Sequence, residues 1–170
     1  KKVELALPEE AKSLREEVLK AVDSGLVTQG IKRLGSNAHM AYGFNLGDIP
    51  IHNWSRGEDK EAPNTIGPIP YTKNYLVKGS ACYACPVACK RVVRVKEGPY
   101  AMEEGPGPEY ETCASFGSLM DNHNLEVIIK INELCNRIGI DTISGGATIA
   151  LAMELFEKGI LSTRDTDGIE

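Results

Sequence analysis

The sequence predicts an all-α domain, mainly helical, with long loops and at most a short strand pair. Three observations predict it. Apolar residues recur at helical spacing in several separate segments. Glycine and proline crowd into the stretches between them. One short β-branched run, Arg91-Val-Val-Arg-Val95, alternates as a strand does.

From Pro8 to Ser24 the apolar positions Ala11, Leu14, Val18, Leu19, Ala21 and Val22 keep helical spacing, with proline at the start and Gly25 just past the end. A second helical piece is expected from Thr28 to His39. Gly43, Gly47, Pro50, Gly57, Pro63, Gly67, Pro68 and Pro70 then punctuate what reads as one long loop. Tyr71 to Gly79 reads as a short helix, Gly98 to Pro108 as a loop, and Glu109 to Met120 as a helix. The strongest periodicity runs from Asn124 to Arg137, where Leu125, Ile128, Ile129, Asn132, Leu134 and Cys135 share one face. Asn122 or Asn124 is its expected cap, and Gly139 its C-terminal stop. Ser144 is expected to cap a last helix over 145–158, packed through Ile149, Met153, Leu155 and Phe156 and ended by Gly159.

The chain has 170 residues, 42% hydrophobic and 25% charged, which suits one globular domain over 1–170 with its own core. A formal net charge of -5, with few basic clusters, argues against nucleic acid as a partner, because phosphate contact needs a concentrated positive face. No apolar stretch approaches the ~20 residues that span a bilayer, so a membrane is not expected either. The chain opens on Lys1, shows no secretory signal, and stops in the polar run Asp165-Thr-Asp-Gly-Ile-Glu170. Both ends read as cuts within a longer polypeptide.

Of five cysteines, three fall within Cys82-Tyr-Ala-Cys85-Pro-Val-Ala-Cys89, while Cys113 and Cys135 stand apart. A secreted disulfide framework would pair and spread them. Cys-x2-Cys-x3-Cys instead places three thiolates on one tight turn, three of the four corners that an iron–sulfur cube needs. Pro86 stiffens the turn, and the small Ala84 and Ala88 leave room for sulfide. The charge of Lys90 and Arg91 is placed to offset a negative cluster and raise its potential, or else forms a solvated edge. Zinc is the rival metal, but zinc sites pair two such knuckles and a second is missing. A reducing compartment, the cytoplasm, follows from either metal.

Three stretches, taken together, resemble one family. They are Lys78-Gly-Ser-Ala-Cys82-Tyr-Ala-Cys85-Pro-Val-Ala-Cys89-Lys-Arg, Gly107-Pro-Glu-Tyr-Glu-Thr112, and Asn132-Glu-Leu-Cys-Asn-Arg-Ile-Gly-Ile-Asp-Thr-Ile-Ser144. They look like the first helical domain of the aldehyde:ferredoxin oxidoreductases, and Leu46–Trp54 and Gly146–Gly159 extend the likeness over nearly the whole chain. The resemblance implies a larger enzyme that lacks here its N-terminal β domain and its last helical domain. In such an enzyme a tungsten or molybdenum ion, held by two pterins, oxidises a small aldehyde to a carboxylic acid. A [4Fe–4S] cluster passes the electrons to ferredoxin. It also admits a homodimer of the full-length protein. Some relatives reduce aromatic thioesters of coenzyme A instead, and a stand-alone iron–sulfur electron-transfer module or a cluster-free helical domain are the readings from other classes.

Residue by residue, Cys82, Cys85 and Cys89 match the clustered ligands, with the fourth in the missing domain. Asn136-Arg-Ile-Gly139-Ile140-Asp141 is similar to the family's pterin-binding Asp-x-x-Gly-Leu-Asp turn, departing from it at Asn136 and Ile140. Glycine lets the backbone approach a ligand, Asp141 and Asn136 offer hydrogen bonds to ring nitrogens, and Ile140 would act through its backbone. Without a pterin, Gly139 is a helix stop and Asp141 a turn residue. Glu109 and Glu111 stand where the family places a glutamate proposed for acid–base work, and a structural role at a helix start is equally natural for them. His52, beside Asn53 and Trp54, is a candidate channel residue or a packing histidine. His39 and His123 are read as packing or helix-start residues.

Overall fold

The computed structural model describes residues 4–169, so the chain ends Lys1 and Glu170, on which the reading of cut termini rests, lie outside the described residues. The order of elements is α1 (Pro8–Ser24), α2 (Leu26–Leu34), α3 (Met40–Leu46), α4 (Ala62–Thr65), α5 (Pro68–Asn74), β1 (Leu76–Ser80), β2 (Lys90–Val95), β3 (Met102–Pro106), α6 (Tyr110–Ser115), α7 (Leu125–Ile138) and α8 (Thr142–Glu157), with short 3-10 turns at Ser36–His39 and Ser118–Met120. The mainly helical class stands, but the strand pair is a three-stranded antiparallel sheet in the order β1-β2-β3.

Both additional strands are edges, which explains why their pattern is faint. β1 is exposed along its centre, so it lacks the alternation that betrays a half-buried strand, and the helix expected over Tyr71–Gly79 ends instead at Asn74. β3, Met-Glu-Glu-Gly-Pro, lies in what reads as loop; proline is tolerated there because an edge strand can spare its N–H. The long loop after Gly43 is likewise interrupted. Pro63 and Pro68 sit in the first turns of α4 and α5, where a missing N–H costs nothing, so they start helices rather than break them.

The core gathers Met40, Ile66, Tyr71, Val93, Val95, Cys113, Phe116, Ile128 and Ile129 from α3, α4–α5, β2, α6 and α7. α7 follows its predicted pattern, except that Leu134 is at the surface. Asn124 caps it, accepting from the N–H groups of Glu126 at 3.0 Å and Val127 at 3.3 Å, and left-handed Gly139 (φ 77°) closes it.

α8 departs from expectation in two ways. Its cap is Asp141, whose Oδ2 accepts the Ser144 N–H at 2.7 Å, so Ser144 lies inside the helix. Its buried face is Gly146 and Ala150, not Ile149 and Met153, which are exposed. Gly146 lies so close to α6 that a Cβ there would come 2.6 Å from Ser115 Cβ, so the small face packs and the large apolar residues are turned outward. α1 also buries none of its apolar positions. No single helix among the described residues is long and apolar enough to cross a membrane; α7 and α8 reach that test only as a pair bent by 118°.

Candidate functional site

The three clustered cysteines occupy the loop between β1 and β2. Pairing of Ser80 with Lys90 closes the loop at its base, so residues 81–89 emerge from a fixed neck. Inside it the Cys85 N–H donates to the Cys82 carbonyl at 3.1 Å, and Ala84 (φ 56°) and Ala88 (φ 54°) are both left-handed. That conformation costs an alanine about 1–2 kcal/mol, and it curls successive amides toward one side, as in an anion-binding nest. The N–H groups of Ala88 and Val87 face the Cys85 sulfur and hold its thiol below the ordinary range against a small opposing effect of burial. Cys89 goes the other way: burial, then the nearby Glu109 carboxylate, push its thiol up.

Among the described residues no three His, Cys, Asp or Glu side chains gather closely enough to hold a metal ion. Three thiols on one curled loop with amides aimed at sulfur nevertheless suit three corners of an iron–sulfur cube, which is stabilised by N–H···S bonds. Cys113 and Cys135 are buried helix residues, as read from the sequence. Cys113 lies wholly in the core, accepts from Asn37 Nδ2 at 3.3 Å, and burial pushes its thiol up to about 12.

One cleft of about 390 Å³ joins most of the remaining candidates, with Glu111 and Gly139 outside its lining. Glu109, Asn136, Ile140 and Asp141 line it, together with Lys90 and Arg91, the residues that leave the cysteine loop. Gly139, at the turn between α7 and α8, combines a positive φ with open space where a Cβ would project, so its exposed backbone admits a close ligand. Asp141 is held below the usual carboxylate range by the Ser144 N–H first and the Ser144 hydroxyl second. It is therefore an ionised acceptor, though one oxygen is already spent on the helix cap. Asn136 donates to the Asn132 carbonyl at 2.8 Å, which leaves its own carbonyl side as acceptor. Ile140 offers less than its backbone was expected to, because its N–H is bound to the Cys135 carbonyl at 2.9 Å. Glycine, carboxylate and amide at one open turn fit the hydrogen-bonding edge of a pterin.

The two glutamates are placed differently. Glu109 precedes α6, and its Oε2 accepts the Ser36 hydroxyl. Ser36 Oγ in turn accepts the Tyr110 N–H at 2.9 Å, so it supplies the α6 cap that the Glu109 side chain does not. Glu111, in the first turn of α6, is exposed and lies beside Tyr110, whose hydroxyl is pushed up to about 12 by burial and then by Glu111.

His52 lies outside this cleft. It begins a run of three left-handed residues, His52, Asn53 and Trp54, and its Nδ1 lies 2.5 Å from Asp121 Oδ2 in a separate cleft of about 480 Å³ beside α8. His123 packs structurally, with Nε2 2.8 Å from Asp59 Oδ2. His39 stacks edge-on against Tyr42 and Tyr110.

The sequence offers nothing for Ser36, and it offers Arg91 as a charge beside a cluster or as a solvated edge, whereas Arg91 is buried. Ser36 carries no local signal, because its partner is 73 residues away. Arg91 does carry one: strand alternation puts it on the same inward face as Val93 and Val95, and it is buried with them.

A family model described as "Aldehyde ferredoxin oxidoreductase, domains 2 & 3" matches residues 13–170. The chain is 36% identical over 146 residues to the tungsten-containing aldehyde ferredoxin oxidoreductase of Pyrococcus furiosus, covering 86% of this chain and 23% of that protein. It is 33% identical over 149 residues to the protein of the same description from Thermococcus kodakarensis, covering 88% of this chain and 24% of the relative. It is also 29% identical over 124 residues to a P. furiosus protein described as an aliphatic sulfonate oxidoreductase, WOR-like subunit, covering 72% and 20%. The chain thus spans about a quarter of the length of the curated relatives it matches.

Proposed function

The chain belongs to the aldehyde ferredoxin oxidoreductase family, and on that premise we propose that it is one helical domain of a tungsten-pterin enzyme that oxidises aldehydes to carboxylic acids. The observation that carries this reading is the single cleft in which the exit of the cysteine loop, Glu109 and the Asn136–Asp141 turn meet. Cys82, Cys85 and Cys89 hold three corners of a [4Fe–4S] cluster, and a further domain supplies the fourth ligand. Asn136, Gly139 and Asp141 bind the polar edge of a pterin. Tungsten is favoured over molybdenum by the descriptions of the relatives.

The remainder of the polypeptide covers this domain. α8 is apolar around its circumference, yet only Gly146 and Ala150 are buried, with Ile143, Ile149, Leu151 and Met153 exposed. A helix apolar on all sides is normally packed on all sides. Leu14 and Val18 of α1, both exposed, point the same way. Five free thiols suit the reducing cytoplasm.

In the net reaction an aldehyde and water give a carboxylic acid, two protons and two electrons, the electrons leaving one at a time to two ferredoxins. The metal-pterin group, when bound, accepts the electron pair. This chain's own contribution is a base for the water proton. A base that acts on a water outside this domain must be exposed and free of other partners. Glu111 meets both conditions, whereas Glu109 is tied to Ser36. Purification of the full-length protein without oxygen tests the reading. Iron, sulfide and tungsten should be present and aldehyde should reduce ferredoxin; a protein that lacks iron and tungsten, or that turns over only sulfonates, refutes it.

A further inference from the structure

Arg91 is 5% exposed, and no carboxylate among the described residues pairs with it. Its guanidinium donates instead to four backbone carbonyls: Nη1 to Ala88 at 3.1 Å and Lys90 at 3.0 Å, and Nη2 to Ile31 at 3.0 Å and Lys32 at 2.7 Å. A buried charge without a counter-charge is costly. Two features offset that cost here. Ile31 and Lys32 lie in the last turn of α2, the end of a helix that carries partial negative charge. Ala88 lies in the cysteine loop, between Cys85 and Cys89.

The seat is shaped for this side chain. A Cβ at Gly35 would come 3.0 Å from Arg91 Nε and 3.2 Å from the Cys89 carbonyl, and Gly35 has φ +79° as well. A Cβ at Gly79 would come 3.2 Å from Arg91 Nη1. The guanidinium therefore passes between two glycines, with α2 on one side and the cysteine loop on the other. The bond to Ala88 has a specific consequence. The Ala88 carbonyl and the Cys89 N–H belong to one planar peptide unit, so Arg91 fixes the orientation of the amide that leads into Cys89, just after the left-handed turn at Ala88.

We propose that Arg91 is the positioning residue of the three-cysteine loop, clamping Ala88 to the end of α2 and seating a buried positive charge against the backbone of that loop, where it raises the reduction potential of the cluster the loop holds. The inference rests on the iron–sulfur reading above. Reduction adds negative charge to a cluster that is already negative, so a fixed cation favours the reduced form. Lys90, adjacent in sequence, is exposed and its charge is screened, which makes it the natural comparison.

The test uses the full-length protein, purified without oxygen, in wild-type form and as Arg91→Lys, Arg91→Met and Lys90→Met. Iron and sulfide are measured before and during exposure to a chelator, and the cluster's midpoint potential is followed by electron paramagnetic resonance. Arg91→Met is expected to shift the reduced-to-oxidised ratio at fixed ambient potential by about tenfold toward oxidised, about 59 mV for one electron. Lys90→Met is expected to shift it by less than about threefold. Arg91→Lys keeps the charge but lacks the planar fork that reaches α2 and the loop together. It should hold the wild-type potential to within about threefold and lose iron to chelator at least about fivefold faster. If Arg91→Met leaves the potential unchanged, or Arg91→Lys retains iron as the wild type does, the proposal is overturned while the cluster stands. If Arg91→Met does not fold, the chelator result for Arg91→Lys decides. A wild-type protein without iron and sulfide overturns both readings.

Discussion

Ser36 holds Glu109 and the start of α6 at once. Its hydroxyl donates to Glu109 Oε2 while the same oxygen accepts the Tyr110 N–H at 2.9 Å. The hydroxyl is thus a helix cap supplied from 74 residues away. Replacing Ser36 by Ala leaves that N–H and a half-buried carboxylate without their partner. The expected cost is about 1–2 kcal/mol, read as a lower thermal midpoint with the helical circular dichroism of the folded protein unchanged. Stability equal to wild type would show that water replaces the hydroxyl.

Because that bond occupies Glu109, the two glutamates should respond differently to the same isosteric change. Glu111→Gln is expected to lower aldehyde turnover by about 10²–10⁴-fold, the usual contribution of a positioned base, with iron and tungsten contents intact. Glu109→Gln should cost less than about tenfold in turnover and show its effect in thermal stability, since it weakens the Ser36 bond. Turnover by the Glu111 variant at the wild-type rate would end the assignment of Glu111.

Much of this was legible in the sequence wherever local pattern and tertiary packing agree. α7 follows its apolar spacing, and Gly139 stops it because a left-handed residue closes a helix that way, whereas α1 forms where its spacing predicts but buries none of that face. The cysteine spacing announced its loop. Edge strands were hidden, since β1 and β3 bury too little to impose alternation. The packing of α8 was misread for a related reason: apolar residues at helical spacing do not say which side meets this domain, and here the side carrying Gly146 does. Arg91 was half legible, by its parity with Val93. The Ser36–Glu109 pair was not, because nothing local encodes a contact made by folding alone.

Gly107 illustrates a glycine whose need is steric. A Cβ there would collide with the Tyr71 hydroxyl and approach Val93 Cγ1 to 2.8 Å. Tyr71 cannot retreat: it is fully buried and donates to the Pro108 carbonyl at 3.2 Å. Gly107→Ala is therefore expected to destabilise by about 1–3 kcal/mol or more, the range for overpacking a core, measured by thermal unfolding. The double change Gly107→Ala, Tyr71→Phe should recover part of the loss by removing the clashing oxygen. If the single variant unfolds at the wild-type temperature, the close approach is not a constraint.

Acid sensitivity should trace to Asp59. Its side chain is 6% exposed, with Oδ2 2.8 Å from His123 Nε2 and Oδ1 accepting the N–H groups of Ala62 at 2.9 Å and Glu61 at 3.0 Å. Burial raises its pKa, but the Ala62 N–H, His123 and the Glu61 N–H outweigh that and hold it below the ordinary value of 3.8. A depressed folded-state pKa means that the unfolded chain binds the proton first as pH falls. The stabilisation is therefore complete at pH well above 3.8 and is lost as pH drops from there through the lower folded-state value. Asp59→Asn keeps a carbonyl for the two amides but removes the charge facing His123. It is expected to be less stable than wild type near neutral pH, by about 1–2 kcal/mol for a hydrogen bond to a charged group. The difference should begin to shrink as pH falls through about 3.8, where the unfolded chain takes up the proton, and should approach zero only below the lower folded-state value, where the folded carboxylate is protonated as well. Thermal midpoints of the two proteins between pH 7 and pH 3 measure this directly, and a gap that stays constant across that range would show that the Asp59 charge contributes nothing to folding.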